Sequence, residues 1–99
     1  MAAYILVDCN VTDPVRYEQY KRLTPAAIAR YGGRFLVRGG ESVVLEGSWQ
    51  PNRVVVIEFP DLDRVREFYD SPEYTEARAV RAGAAAMNMV GVAGVQERG

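Results

Sequence analysis

Glu58 is a carboxylate inside the most apolar run of the chain, Arg53-Val54-Val55-Val56-Ile57-Glu58-Phe59. A buried carboxylate is costly unless a cation meets it or its pKa rises. Glu58 is therefore expected to project into a cavity beneath helices, with Arg38 as first partner and Arg53 or Arg78 as others. In a hairpin turning at Gln50-Pro51-Asn52, Glu58 lies opposite Val44 and diagonal to Glu46, and neighbouring acids can separate into acid and base roles. Glu58 is the candidate general acid or base; a structural ion pair, or exposure at a strand end, is the plain alternative.

Other side chains could bind rather than react. Arg38 precedes Gly39-Gly40, where a guanidinium could grip an anion in two-pronged fashion while the glycines let it approach the backbone; otherwise Arg38 is a surface residue at a bulge. Trp49, Tyr17, Tyr20, Tyr69 and Tyr74 could line a substrate pocket and donate hydroxyl hydrogen bonds, or serve as core and dimer rim. Ser71 has no base beside it and reads as a helix cap. Cys9, the single cysteine, reads as an inert core residue.

Composition narrows the chemistry. The chain has no histidine, which removes the commonest general base, metal ligand and haem ligand. No metal or cofactor is expected, and catalysis would fall to carboxylate, tyrosine, arginine or cysteine. Twelve basic residues are scattered among thirteen acidic ones, so no basic block exists to neutralise a phosphate backbone and nucleic acid is not expected as a partner. No segment approaches the roughly 20 apolar residues that cross a bilayer, so no membrane partner is expected either. The N-terminus lacks the basic start of a secretory signal, which makes the cytoplasm the expected location.

These residues must be positioned by a short series of elements. The run from Ala3 to Asn10 is β-branched and aromatic, as in a strand. Thr12-Asp13-Pro14 then starts a helix, whose stripe Tyr17, Tyr20, Leu23 or Thr24, Ile28 and Tyr31 ends at Gly32-Gly33, with a kink expected at Pro25. Gly33 to Arg38 is a strand, with a bulge or bend at Gly39-Gly40. Val43 to Trp49 and Arg53 to Phe59 form the two arms of the hairpin. Pro60-Asp61 starts a second helix that buries Leu62, Val65, Phe68 and Tyr69. Ser71-Pro72-Glu73 starts a short third one, which Ala82 to Ala86 could extend. Met87 to Val95 is the last strand, and Gln96 to Gly99 a frayed tail.

The order is ferredoxin-like βαββαβ with an extra short helix, in one α+β domain over residues 1–95. Two helices cover only one face of such a sheet, yet the strands are apolar in both registers. A second copy is the simplest cover, so a homodimer through the sheet faces is expected.

The phrases Val11-Thr12-Asp13-Pro14, Gly32-Gly33-Arg34-Phe35-Leu36-Val37-Arg38-Gly39-Gly40, Leu45-Glu46-Gly47, Val55-Val56-Ile57-Glu58-Phe59-Pro60 and Phe68-Tyr69-Asp70-Ser71-Pro72-Glu73-Tyr74 together resemble the DUF1330 family over roughly residues 3 to 82. The resemblance implies a dimeric α+β barrel, an architecture shared by cofactor-free monooxygenases, isomerases, cyclases and haem-binding enzymes, so it leaves function open. Ala93-Gly94 departs from the family's pattern, where an acidic residue precedes the glycine. Two functions fit: a cofactor-independent enzyme on a small organic molecule, with Glu58 as acid or base, or a non-catalytic small-molecule-binding dimer in which the carboxylate is neutralised by arginine.

Overall fold

The computed structural model describes residues 1–95, so the tail placed at Gln96 to Gly99 lies outside the described residues. Strands β1 (Ala3–Val11), β2 (Arg34–Arg38), β3 (Val54–Phe59) and β4 (Ala85–Ala93) form an antiparallel sheet in the order β2-β3-β1-β4. Helices α1 (Pro14–Arg30), α2 (Leu62–Asp70) and α3 (Pro72–Arg81) complete the ferredoxin-like α+β pattern. No helix among the described residues is long and apolar enough to cross a membrane.

Strand alternation decides which side chains the helices meet. Ala3, Ile5, Val7 and Cys9 of β1 and Val55, Ile57 and Phe59 of β3 are buried. On α1 the buried stripe is Tyr17, Tyr20, Thr24, Ala27 and Ile28, so Thr24 and not Leu23 points inward. Phe68 of α2 joins the layers, with ring centroids 5.1 Å from Phe59, 4.5 Å from Tyr74 and 6.4 Å from Tyr31. Gly33 is required by this packing, because a Cβ there would lie 2.7 Å from the Phe59 ring and 2.8 Å from Ile28.

Side-chain oxygens set the helix starts, satisfying N–H groups that have no partner inside the helix. Asp13 accepts from the Arg16 amide, Asp61 from that of Arg64, and Ser71 from that of Tyr74 at 3.1 Å. The Ser71 hydroxyl also donates to the Phe68 carbonyl at 2.7 Å, closing α2 while opening α3.

Pro25, where a kink is expected, lies within α1, and several other expectations are corrected. The proline's missing N–H leaves the Lys21 carbonyl free, and that oxygen instead accepts from Arg38 Nη2 at 3.0 Å and from the Thr24 hydroxyl at 3.4 Å. α3 stops at Arg81, and Ala85 already belongs to β4, which ends at Ala93 and not Val95. Tyr69 is exposed on α2, not buried. The register shift in β2 falls between Phe35 and Val37, ahead of Gly39-Gly40.

The largest correction concerns residues 39–53, which form an irregular connection in place of a tight hairpin. Val43 to Trp49 is not a strand, and Glu58 faces Arg34 and Tyr4 across the sheet, not Val44. The physical reason is that β3 already has β2 on one side and β1 on the other. The returning chain is tied instead to β1, where the Asp8 carboxylate accepts from the Trp49 indole at 2.9 Å and from the Asn52 amide at 3.0 Å.

Candidate functional site

Between the sheet and the helices lies a cavity of about 30 Å³, lined among others by Tyr17, Tyr20 and Tyr74, with Lys21, Arg38 and Arg53 at its polar edge. That volume suits a water and falls far below the roughly 300–1,000 Å³ of typical ligand pockets. The Tyr20 and Tyr74 hydroxyls meet at 2.7 Å inside it. Burial, the larger cause, and the Tyr74 hydroxyl raise the Tyr20 pKa, while burial followed by Cys9 pushes Tyr17 up to about 12. These phenols are therefore hydrogen-bond donors at neutral pH and not bases.

Guanidinium groups frame the tyrosines. Arg53 lies over the Tyr17 ring at 5.8 Å, Arg81 over Tyr20 at 5.5 Å and Arg38 over Phe35 at 4.3 Å. The Nε atoms of Arg53 and Arg81 are buried without a hydrogen-bond partner. Among the described residues no carboxylate lines the cavity, and none forms an ion pair with Arg38, Arg53 or Arg81. At Gly39, with φ +74°, a Cβ would run into the Arg53 guanidinium, so glycine leaves the room in which Arg53 lies.

The remaining sequence candidates sit elsewhere. Glu58 lies on the helix-free face and not beneath the helices; its partner is Arg34, Nε to Oε1 2.7 Å, and not Arg38, with the Tyr4 hydroxyl at 3.5 Å. Strand alternation explains this, since Ile57 and Phe59 take the inward positions. With Arg34 largely exposed, the pair is worth at most about 1 kcal/mol. Trp49 edges a groove of about 450 Å³ on the helix-free face, together with Leu6, Val54, Val56 and Val90. Tyr69 lies beside a third concavity of about 370 Å³, with Arg78 stacked at 4.2 Å on its ring.

Tyr17, Tyr20, Tyr74 and Arg38 are thus brought together, whereas Glu58, Trp49 and Tyr69 are not. In the sequence Arg53 stands only as a partner for Glu58, and no spacing marks Lys21 or Arg81. Arg53 immediately precedes the apolar run of β3, and that position beside the strand end is the available signal.

The family model of a domain of unknown function, DUF1330, matches residues 2–95. The chain belongs to the DUF1330 family. No curated protein matches it. Among solved structures, this DUF1330 chain is similar to a protein of unknown function from Rhodopseudomonas palustris, at 20% identity and TM-score 0.75, over 97% of this chain and 84% of that one. It is also similar to a dimeric ferredoxin-like protein of unknown function from Jannaschia, at 11% identity and TM-score 0.67, covering 93% and 98%. A third is SnoaB, a cofactor-independent oxygenase from Streptomyces nogalater, at 18% identity and TM-score 0.64, covering 97% and 95%. At these identities the likeness shows a shared fold.

One electrostatic feature of the DUF1330 chain is directly measurable. The Trp49 indole, followed by the Asn52 amide, holds the Asp8 carboxyl below its usual range. A depressed folded-state pKa means that the anchor of residues 49–52 is complete above about pH 4 and is lost as pH falls further. Emission from Trp49, the only tryptophan, should change below about pH 4 while far-UV dichroism holds. Asp8→Asn should remove that step, since it cannot titrate. Emission flat down to the unfolding transition would refute this assignment.

Proposed function

We propose that this protein is a homodimer that binds a small aromatic anion at the edge of the tyrosine-lined cavity, between α1 and the end of β2. The observation that carries the reading is the set of arginines, Arg38, Arg53 and Arg81, gathered around three tyrosines with no carboxylate among the described lining residues. A carboxylate or phenolate on an aromatic body would supply the missing acceptor for Arg53 Nε and stack against Tyr17. Entry requires Lys21 and Arg38, both long side chains at the solvent edge, to swing outward. Self-association is supported by the part-exposed Leu6, Val90 and Val92 on the helix-free face and by the dimeric description of the Jannaschia protein. Glu58, held by Arg34 on the far side of the sheet, takes no part in binding.

Calorimetric titration with 2-hydroxybenzoate and with its neutral amide tests this. The acid should bind more tightly than the amide, and Arg53→Gln should weaken it about tenfold or more, the scale of one charge-assisted hydrogen bond. Equal binding of acid and amide, or an Arg53→Gln affinity matching the parent protein, would overturn the reading.

A cofactor-independent oxygenase is the second reading, favoured by the paired Tyr20 and Tyr74 hydroxyls inside the cavity and by the fold shared with the Streptomyces nogalater oxygenase. There the tyrosines would hold a phenolic oxygen, and the substrate itself would supply the electrons for dioxygen. Oxygen uptake in the presence of a naphthol, abolished in the doubly substituted Tyr20→Phe, Tyr74→Phe protein, separates this reading from binding alone.

A further inference from the structure

We propose that residues 41–48 form an exchanged arm, a loop tethered at both ends whose tip leaves one chain and lies against the helix-free sheet of a second copy, over Leu6, Val56 and Val90. This rests on the homodimer reading and specifies what closes the dimer.

The segment Glu41-Ser42-Val43-Val44-Leu45-Glu46-Gly47-Ser48 carries strand-forming residues, yet within one chain it joins no strand of the sheet. Val43 and Leu45 are 77% and 90% exposed. Such apolar exposure on consecutive turns of chain marks a contact surface. The base from which the segment projects is fixed on both sides. Gly39 N–H donates to the Val54 carbonyl at 2.8 Å, and Asp8 holds Trp49 and Asn52.

The same chain carries a receiving surface, the groove of about 450 Å³ lined by Leu6, Val54, Val56 and Val90 and edged by the chain's own Trp49. Arm and groove are therefore self-complementary, and one twofold axis satisfies both copies at once, which is the defining property of an isologous contact. Reach is sufficient: tethered at both ends, residues 41–48 can project about half their extended length, about 13 Å, against the about 10 Å that separates two sheets packed face to face. Charge agrees as well. The arm carries Glu41 and Glu46, and the β2 rim of the receiving face presents Arg34, whose side chain is largely exposed despite its bond to Glu58. A chain of net charge −1 raises little repulsion between copies.

The arm is flanked in the chain by Arg38 and Arg53, both at the edge of the tyrosine-lined cavity. Docking on a partner would therefore also fix the two arginines.

The test is sedimentation equilibrium of the full chain, the paired variant Val43→Asp, Leu45→Asp, and the face variant Val90→Asp, with hydrogen exchange at residues 42–46. Because Val43 and Leu45 touch little in one chain, the arm variant should keep its dichroism spectrum while its dimer weakens about a hundredfold. In the parent protein, amides 42–46 should exchange at least about tenfold more slowly in the dimer than in dilute monomer. If Val90→Asp dissociates the dimer while the arm variant stays as tight as the parent, the arm proposal falls and the dimer stands. A parent chain that sediments as a monomer at micromolar concentration overturns both.

Discussion

Phe68→Ala is expected to lower folding stability by about 3–5 kcal/mol, the range for truncating a fully buried aromatic side chain. Phe68 is 1% exposed and contacts the rings of Phe59, Tyr74 and Tyr31. It is the point where β3, α2 and α3 meet. Neither Phe59 of the sheet nor Tyr74 of α3 can collapse into the space: Phe59 is wedged against Gly33, and Tyr74 is held by Ser71 and Tyr20. The void should therefore persist, which places the cost toward the upper end. Urea unfolding at fixed protein concentration measures it, since dimerisation would add to apparent stability. A loss below about 1 kcal/mol would mean that the aromatic stack is not the core described.

Tyr74→Phe should cost about 1–3 kcal/mol and Tyr20→Phe a similar amount, because each leaves the other hydroxyl buried without its partner. The O–O separation is 2.7 Å and both residues are buried. Met89 Sδ at 3.9 Å from the Tyr74 hydroxyl is a weak substitute acceptor. The double variant should be more stable than the sum of the single losses implies, since both hydroxyls then disappear together and no orphan remains. A double-mutant cycle of unfolding energies reads the coupling. Strict additivity of the two losses would show that the hydroxyls do not satisfy one another.

The elements and their order were legible in the sequence because the signals are local. Asp13-Pro14, Asp61 and Ser71-Pro72 start helices through side-chain oxygens within three residues of the amides they satisfy. The alternation of Ile5, Val7 and Cys9, and of Val55, Ile57 and Phe59, marks strands without reference to the rest of the chain. The family's phrases lie on the same elements, and the family match at residues 2–95 agrees with them.

The candidate site was legible only in part. Tyr17, Tyr20 and Tyr74 follow from helix periodicity and do converge. The fate of Glu58 turned on register: in an alternating strand, one residue's difference exchanges the core face for the open face, and the assumed hairpin supplied the wrong neighbour. Arg38 illustrates a second kind of failure. Its partner is a backbone carbonyl on α1 that exists as a free acceptor only because Pro25 lacks an N–H, a relation between β2 and a helix that no sequence spacing encodes.

By itself, then, the sequence determined the ferredoxin-like order of elements, the caps, most of the inward stripe of α1 and the doubly apolar character of the strands, all of which arise from neighbours within a few positions. The tertiary structure alone decided that Val43 to Trp49 finds no strand to pair with, that Glu58 meets Arg34 on the helix-free face, and that Arg53 joins the tyrosines with its Nε unsatisfied. Each of those depends on which strand occupies an edge, and edges are settled by long-range pairing in which burial of the whole sheet outweighs the propensity of any one segment.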